Sequence, residues 1–378
     1  MSSKKPPPTR HNAGRRRFYV VPPCAIERHA VPVSTPQPRP SDDPGPSSGR
    51  DPRAGRKPCG GGRSSRANGG RVLRTRHGFP GYRCCVPEVL PVVDVSAWPV
   101  RDPEPGGSGE NVWLSDPGDS RSWLFKLVSM PRGQRQGQDW AEALAARLAA
   151  LMSVPTAQAE MAVRSGRPGS ISLDLTPAGW SLHTGAVALQ EVDVHVDPKS
   201  KDGHSLGNIR RALADCGAPP GFSGPASFGA YDVFAGYLVF DAWIANADRH
   251  EANWSLLHGT GSHRLLAASY DHAGALGAGL RDQARDRGLA DPVGIDRWVL
   301  RGYAKRFERR QQTTLVDHAK DALAMAGPAT QEFWLSQLDS VTDQRVESIV
   351  AAAPEMSDAS RRFCVAVLTA NRRRVLDA

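Results

Sequence analysis

Ala245-Asn246-Ala247-Asp248-Arg249-His250-Glu251-Ala252-Asn253 places an acid and an amide five positions apart, at Asp248 and Asn253. A second acid follows eighteen residues after Asn253, in Ser269-Tyr270-Asp271-His272-Ala273-Gly274. Phosphoryl-transfer sites use this set: one carboxylate beside the attacking hydroxyl, then an amide and a second carboxylate to hold magnesium on nucleotide phosphates. Magnesium takes hard oxygen ligands, which Asn and Asp supply and Cys and His do not. The simpler alternative is a solvated polar loop after a buried helix. The second aspartate, arriving at a suitable distance, argues against it.

Upstream of this loop, Tyr231–Ala245 is apolar on nearly every side: Tyr231, Val233, Phe234, Tyr237, Leu238, Val239, Phe240, Trp243 and Ile244. A helix of that kind is buried in a larger body. Asp241 interrupts it and is expected to be a structural partner for the loop backbone or for Arg249. Downstream, residues 253–257 and 265–270 predict a hairpin around His258-Gly259-Thr260-Gly261 that ends at Asp271.

The first half of the chain reads as strands and one helix. Val86–Val95 predicts a strand or a pair of short ones. Gly107-Ser108-Gly109 forms a glycine-rich turn whose backbone N–H groups could approach phosphate oxygens. Strands are expected at Asn111–Leu114, Trp123–Val128, Ala157–Arg164 and Gly185–Asp193, with residues 189–193 crossing toward the second half. Lys126 lies within an apolar strand, where a lysine is costly unless it pairs or binds something. Trp140, Leu144, Leu148, Leu151 and Met152 recur at helical spacing, so Gln138–Met152 predicts an amphipathic helix. Glu142 lies off that stripe and near the helix start, where it is either a first-turn acid favoured by the helix dipole or a partner for Lys126. Leu206–Cys216 opens a helical region. The chain therefore divides into a tail, 1–85, a first lobe, 86–195, and a second lobe, 196–378.

The formal charge of +9 over 378 residues is unevenly distributed. Residues 1–85 hold eighteen Lys/Arg against four acids, leaving the remainder at −5. That remainder is too acidic for a nucleic-acid-binding core. The tail is rich in Pro, Gly, Ser and Arg, so it is expected to be disordered. Its Arg15-Arg16-Arg17 run and its Arg71-to-Arg76 cluster could contact nucleic acid or anionic lipid. The apolar stretch 18–25 is short and broken by Pro22-Pro23, unlike a signal peptide. No apolar run is long enough for a membrane span. The six cysteines form no C-x-x-C pair, and the expectation is a cytoplasmic protein. There is neither an H-E-x-x-H nor a G-x-S-x-G motif to suggest hydrolytic chemistry.

Asn246, Asp248, Arg249, His250 and Asn253 spell N-x-D-R-H-x-x-N, which resembles the HipA-like kinases and, more distantly, phosphoinositide-type kinases. The resemblance extends over about residues 100–376. It takes in the Gly-Ser-Gly turn with Trp113-Leu114, Phe125-Lys126, Tyr270-Asp271-His272 and the C-terminal 350–376 pattern. It implies an α+β, two-lobed protein kinase-like fold with a largely helical C-terminal lobe. It also implies an ATP- and Mg²⁺-dependent transfer of phosphate to a protein Ser or Thr hydroxyl. On that reading Asp248 orients the hydroxyl and accepts its proton, and Asn253 and Asp271 hold magnesium. Lys126, steadied by Glu142, neutralises phosphate charge, while Gly107, Ser108 and Gly109 cover the phosphates. Ser108 is then a candidate autophosphorylation site, and an antitoxin-like regulator a candidate partner. The sequence departs from the family at Gly274, which lies one position later than in a D-F-G. It also has no recognisable N-terminal subdomain in 1–85. Two other readings stay open: a lipid kinase, suggested by the D-R-H order, and a nucleotide-binding module without turnover.

Overall fold

Strand β4 (Ser122–Leu127) shows why the first half folds as a sheet. Trp123 and Phe125 are buried, and Lys126 between Phe125 and Leu127 faces the other way, the two-residue alternation of a half-buried strand. In this computed structural model, which describes residues 89–103, 111–308 and 313–377, β4 lies inside a six-stranded sheet. The other strands are β1 (Val92–Asp94), β2 (Val100–Pro103), β3 (Val112–Ser115), β5 (Ala159–Arg164) and β6 (Arg167–Leu173), in the order β1-β5-β6-β4-β3-β2. Pairing is antiparallel except between β1 and β5. Val95, Leu114, Trp123, Phe125, Ala162 and Ile171 form a core on one face. Helix α1 (Gln138–Leu151) packs on the sheet through Leu144 and Leu148, close to its expected bounds.

Strand β6, which carries Pro168 and Gly169, was not expected from the sequence. The close packing of two backbones is what needs the glycine. A Cβ at Gly169 would lie 2.4 Å from the carbonyl oxygen of Lys126. Ser165 and Gly166, at φ 51° and 74°, form the two-residue connection from β5 to β6.

Gly185–Asp193 was expected to be a strand and is not. Gly185–Gln190 is a short helix, α2, preceded by β7 (Ser181–Thr184). The first N–H groups of α2 donate to Trp254 O (2.7 Å) and Glu251 O (2.9 Å), so a distant loop sets its direction. At Gly185 a Cβ would fall 2.1 Å from the Trp254 ring, and only glycine allows that approach. β7 pairs with β8 (Ser255–His258), and β8 with β9 (Arg264–Leu266), giving a second, three-stranded sheet. The predicted hairpin is therefore present but shorter, and it carries a third strand.

Helix α3 (Leu206–Ala212) leads to α4 (Ala230–Trp243), whose positions 233–243 are all buried. Around it pack α7 (Leu315–Ala326), α8 (Pro328–Asp339) and α10 (Asp358–Leu376). α5 (Asp282–Ala290), α6 (Gly294–Val299) and α9 (Asp343–Ala351) complete the helical part. Trp334 of α8 sits over Gly236, where a Cβ would come within 2.2 Å of its ring. The Trp243 carbonyl at the end of α4 accepts from Asn371 Nδ2 of α10 (3.2 Å). The most buried helix is thus held where it delivers the Asp248 loop. Among the described residues no helix is long and apolar enough to cross a membrane.

Candidate active site

The chain leaves α4 through Ala245, which takes a positive φ of 56°. Asp241 of α4 then organises the turn. Its carbonyl accepts from Asn246 N (2.8 Å) and its Oδ1 from Asn246 Nδ2 (2.7 Å). Asn246 Oδ1 in turn accepts from Asp248 N (3.2 Å). Arg249 is buried and makes a two-pronged pair with Asp241, Nε to Oδ2 and Nη2 to Oδ1, each at 2.8 Å. The same guanidinium donates to Asn253 O (2.6 Å), Ser269 Oγ (2.8 Å) and, more weakly, Tyr270 O (3.5 Å). Burial opposes the charge of Arg249, yet the Asp241 carboxylate more than offsets it and holds the guanidinium above its usual pKa. One cation therefore braces both the 246–253 loop and the 269–271 segment.

Asn253 Nδ2 donates to the Asp248 carbonyl (2.9 Å), and Asn253 N donates to His250 O (2.8 Å). The amide orientation follows from this network. It leaves Asn253 Oδ1 without a hydrogen bond among the described residues, as a hard oxygen donor. Asp271 has a φ of 61°, a backbone region that side-chain-bearing residues rarely occupy and that recurs at functional sites. Burial raises its pKa, but the Lys126 ammonium, 3.1 Å from Oδ1, brings the net shift below the usual carboxylate range. Asp271 is thus ionised at neutral pH. An amide oxygen and a carboxylate are a donor set that fits magnesium. Near both acids lies His250. Burial lowers its pKa, against the opposing charges of Asp248 and Asp271.

Lys126 comes from the middle of the sheet, where β4 pairs with β3 on one side and β6 on the other. Its ion pair here runs to Asp271, and the expected Lys126–Glu142 pair is not formed. Glu142 of α1 is buried against His272, with Oε1 3.7 Å from Nδ1, too far for a hydrogen bond. Its Oε2 has no hydrogen-bond partner among the described residues. The reason is competition: Asp271 presents its carboxylate to Lys126, and His272, held by Ser269 Oγ at 2.8 Å from Nε2, covers Glu142. Gly107, Ser108 and Gly109 lie outside the described residues, as does the tail 1–85.

Arg306 is a site residue that sequence reading did not find. Its Nε donates to Asp248 Oδ1 (2.5 Å), and both side chains are about two-fifths exposed, at 38% and 40%. The backbone beneath it is fixed. Buried His204 donates from Nδ1 to the Arg306 carbonyl (2.7 Å) and accepts at Nε2 from the Trp254 indole (3.1 Å). Phe307 stacks on the same imidazole, with ring centroids 4.6 Å apart. Burial pushes the His204 pKa down to about 4, so it is neutral at physiological pH, as those two bonds require.

A β-sheet carrying an inward lysine, a largely helical body and an Asp–Asn loop between them define the α+β protein kinase-like fold. No protein-family model matches the chain, and no curated protein matches its sequence. Among solved structures, the Helicobacter pylori proinflammatory kinase CtkA is similar, with a TM-score of 0.59 and 16% identity, over 76% of this chain and 96% of that one. HipA of Shewanella oneidensis MR-1, in a complex with HipB and operator DNA, matches with a TM-score of 0.42 and 14% identity. That match covers 72% of this chain and 64% of HipA.

Proposed function

We propose that this chain is a HipA-like phosphotransferase that moves the γ-phosphate of ATP, with Mg²⁺, to a Ser or Thr hydroxyl of a protein. The observation that carries the reading is Arg249, whose single guanidinium binds Asn253 O and Tyr270 O and so ties the two oxygen-donor segments together. Asn253 Oδ1 and the Asp271 carboxylate would hold magnesium, which neutralises charge on the phosphates when bound. Asp248 is the base: once Arg306 withdraws, its carboxylate accepts the proton of the attacking hydroxyl. Lys126, paired with Asp271, would turn its ammonium to phosphate oxygens. Within this reading residues 86–195 form the nucleotide lobe and 196–378 the catalytic lobe, and an antitoxin-like protein is a candidate regulator.

The test is transfer of labelled γ-phosphate to protein, comparing wild type with Asp271→Asn at saturating magnesium. The variant should keep its circular dichroism spectrum and lose turnover by about two orders of magnitude or more, because a ligand charge is removed. An unchanged kcat would overturn the assignment. Label appearing in lipid vesicles and not in protein would favour the lipid-kinase alternative. Phosphoproteomes of cells carrying wild type or Asp248→Ala would then identify the acceptor.

A further inference from the structure

The small sheet carries a cluster of donors that takes no part in the site above. The β7–β8 register sets Ser181 opposite His258 and His183 opposite Leu256, so the two histidines stand diagonally on one face. Glu191 follows directly after α2. One ring nitrogen from each histidine and one carboxylate oxygen of Glu191 all fall within 4.8 Å of one another.

The individual contacts sort themselves as ligand and support. His183 Nδ1 lies 3.4 Å from Glu191 Oε1, long for a hydrogen bond. His183 Nε2 is 3.1 Å from Ser181 Oγ, which orients the ring and leaves Nδ1 for an ion. The other carboxylate oxygen of Glu191 faces Arg264 Nη1 at 3.6 Å. His258 Nε2 is shielded from solvent and has no hydrogen-bond partner among the described residues. A buried polar atom without a partner calls for one.

We propose that His183 Nδ1, His258 Nε2 and Glu191 Oε1 form a binding site for a divalent ion of the zinc class, with water in the fourth position. Two imidazoles and one carboxylate select zinc, nickel or copper over magnesium, so the site is chemically distinct from the Asn253–Asp271 pair. The two rings stack at 3.8 Å between centroids, 15° from parallel. An ion shared by both must lie in each ring plane, so binding splays the rings by side-chain rotation while the paired strands stay in register. The Arg264 charge beside Glu191 holds the affinity below that of an all-histidine site. Bound metal would clamp α2 to the sheet, and α2 is the element whose first N–H groups hold Trp254 O and Glu251 O, flanking Asn253.

The experiment uses the full folded chain, stripped with a chelator and with those of its six cysteines that react without denaturant alkylated, since thiols also take zinc; Cys216 and Cys364 are buried in the core. Zn²⁺ binding is measured by calorimetry, and Co²⁺ absorption reports the geometry. Wild type should bind one equivalent that millimolar Mg²⁺ does not displace, and zinc should raise its melting temperature. His183→Ala and His258→Ala should lose that equivalent and the thermal shift, while melting like wild type without zinc. Glu191→Gln should weaken binding by about tenfold or more. Zinc should also protect His183 and His258 of the wild-type protein from diethyl pyrocarbonate, a readout that needs no variant to fold. Equal stoichiometry and affinity in wild type and variants would overturn the proposal. So would equal reactivity of the two histidines with and without zinc. Neither result bears on phosphate transfer.

Discussion

Replacing Arg249 with Met removes the cation that closes the loop and leaves its partners in place. Asp241 would keep a buried charge whose remaining bond is the one from Asn246 Nδ2, and Asn253 O and Ser269 Oγ would each lose a donor. Both members of the Arg249–Asp241 pair are only 2% exposed, so water cannot replace the lost bonds without opening the core. Breaking a buried pair from one side costs about 3–5 kcal/mol. For a fold of this size each kcal/mol moves the melting temperature by about 2–4 °C, so a fall of roughly 6–20 °C is expected. Urea unfolding followed by tryptophan fluorescence gives the free energy directly. The double variant Asp241→Leu, Arg249→Met should recover part of the loss, because it leaves no orphaned charge. Were Arg249→Met to unfold within about 1 kcal/mol of wild type, the bracing role assigned to it would be wrong.

The neighbouring pair gives the opposite expectation. Arg306→Met removes a 2.5 Å contact to Asp248, yet at 38% and 40% exposure the pair contributes only about 0–1 kcal/mol, so the same urea titration should barely move. A third prediction concerns pH. Burial lowers His204 and His318 to about 4, so between pH 6.5 and 4 the unfolded chain binds protons there that the folded chain does not. Stability should therefore fall as pH drops through that window, by about 1.4 kcal/mol per pH unit for each histidine. Urea midpoints at pH 7 and pH 5 check it, and a midpoint that does not shift would contradict the burial assigned to both rings.

Where an element's identity depended on its own residues, the sequence was readable. The apolar run 231–245 could only be a buried helix, and α4 spans Ala230–Trp243. The spacing of Trp140, Leu144 and Leu148 placed α1, and the apolar run around Lys126 placed β4. Asp241 as the partner of Arg249 was also readable, since one helix end and the next loop bring them together eight residues apart. Elements that depend on distant partners were not readable. The short apolar run of α2 was expected to be a strand, but the carbonyls of Glu251 and Trp254 capture its first N–H groups and start a helix. β6 was not expected either, and its Gly169 is explained only by the close approach of the Lys126 backbone.

The motif N-x-D-R-H-x-x-N is local chemistry. Asn253 bonds to Asp248 within a single turn, so residue order alone determines that pair and the loop that carries it. Which charge Lys126 meets, and which group covers Glu142, depended on the approach of the 269–272 segment to the sheet and to α1. Arg306 reaches Asp248 across 58 positions because His204 and Phe307 fix its backbone. The cluster of His183, Glu191 and His258 likewise exists only through the β7–β8 register. A covalent chain sets which groups can meet within a turn. Meetings over longer separations are set by burial and by competition for the same hydrogen bonds, and only the folded structure decides those.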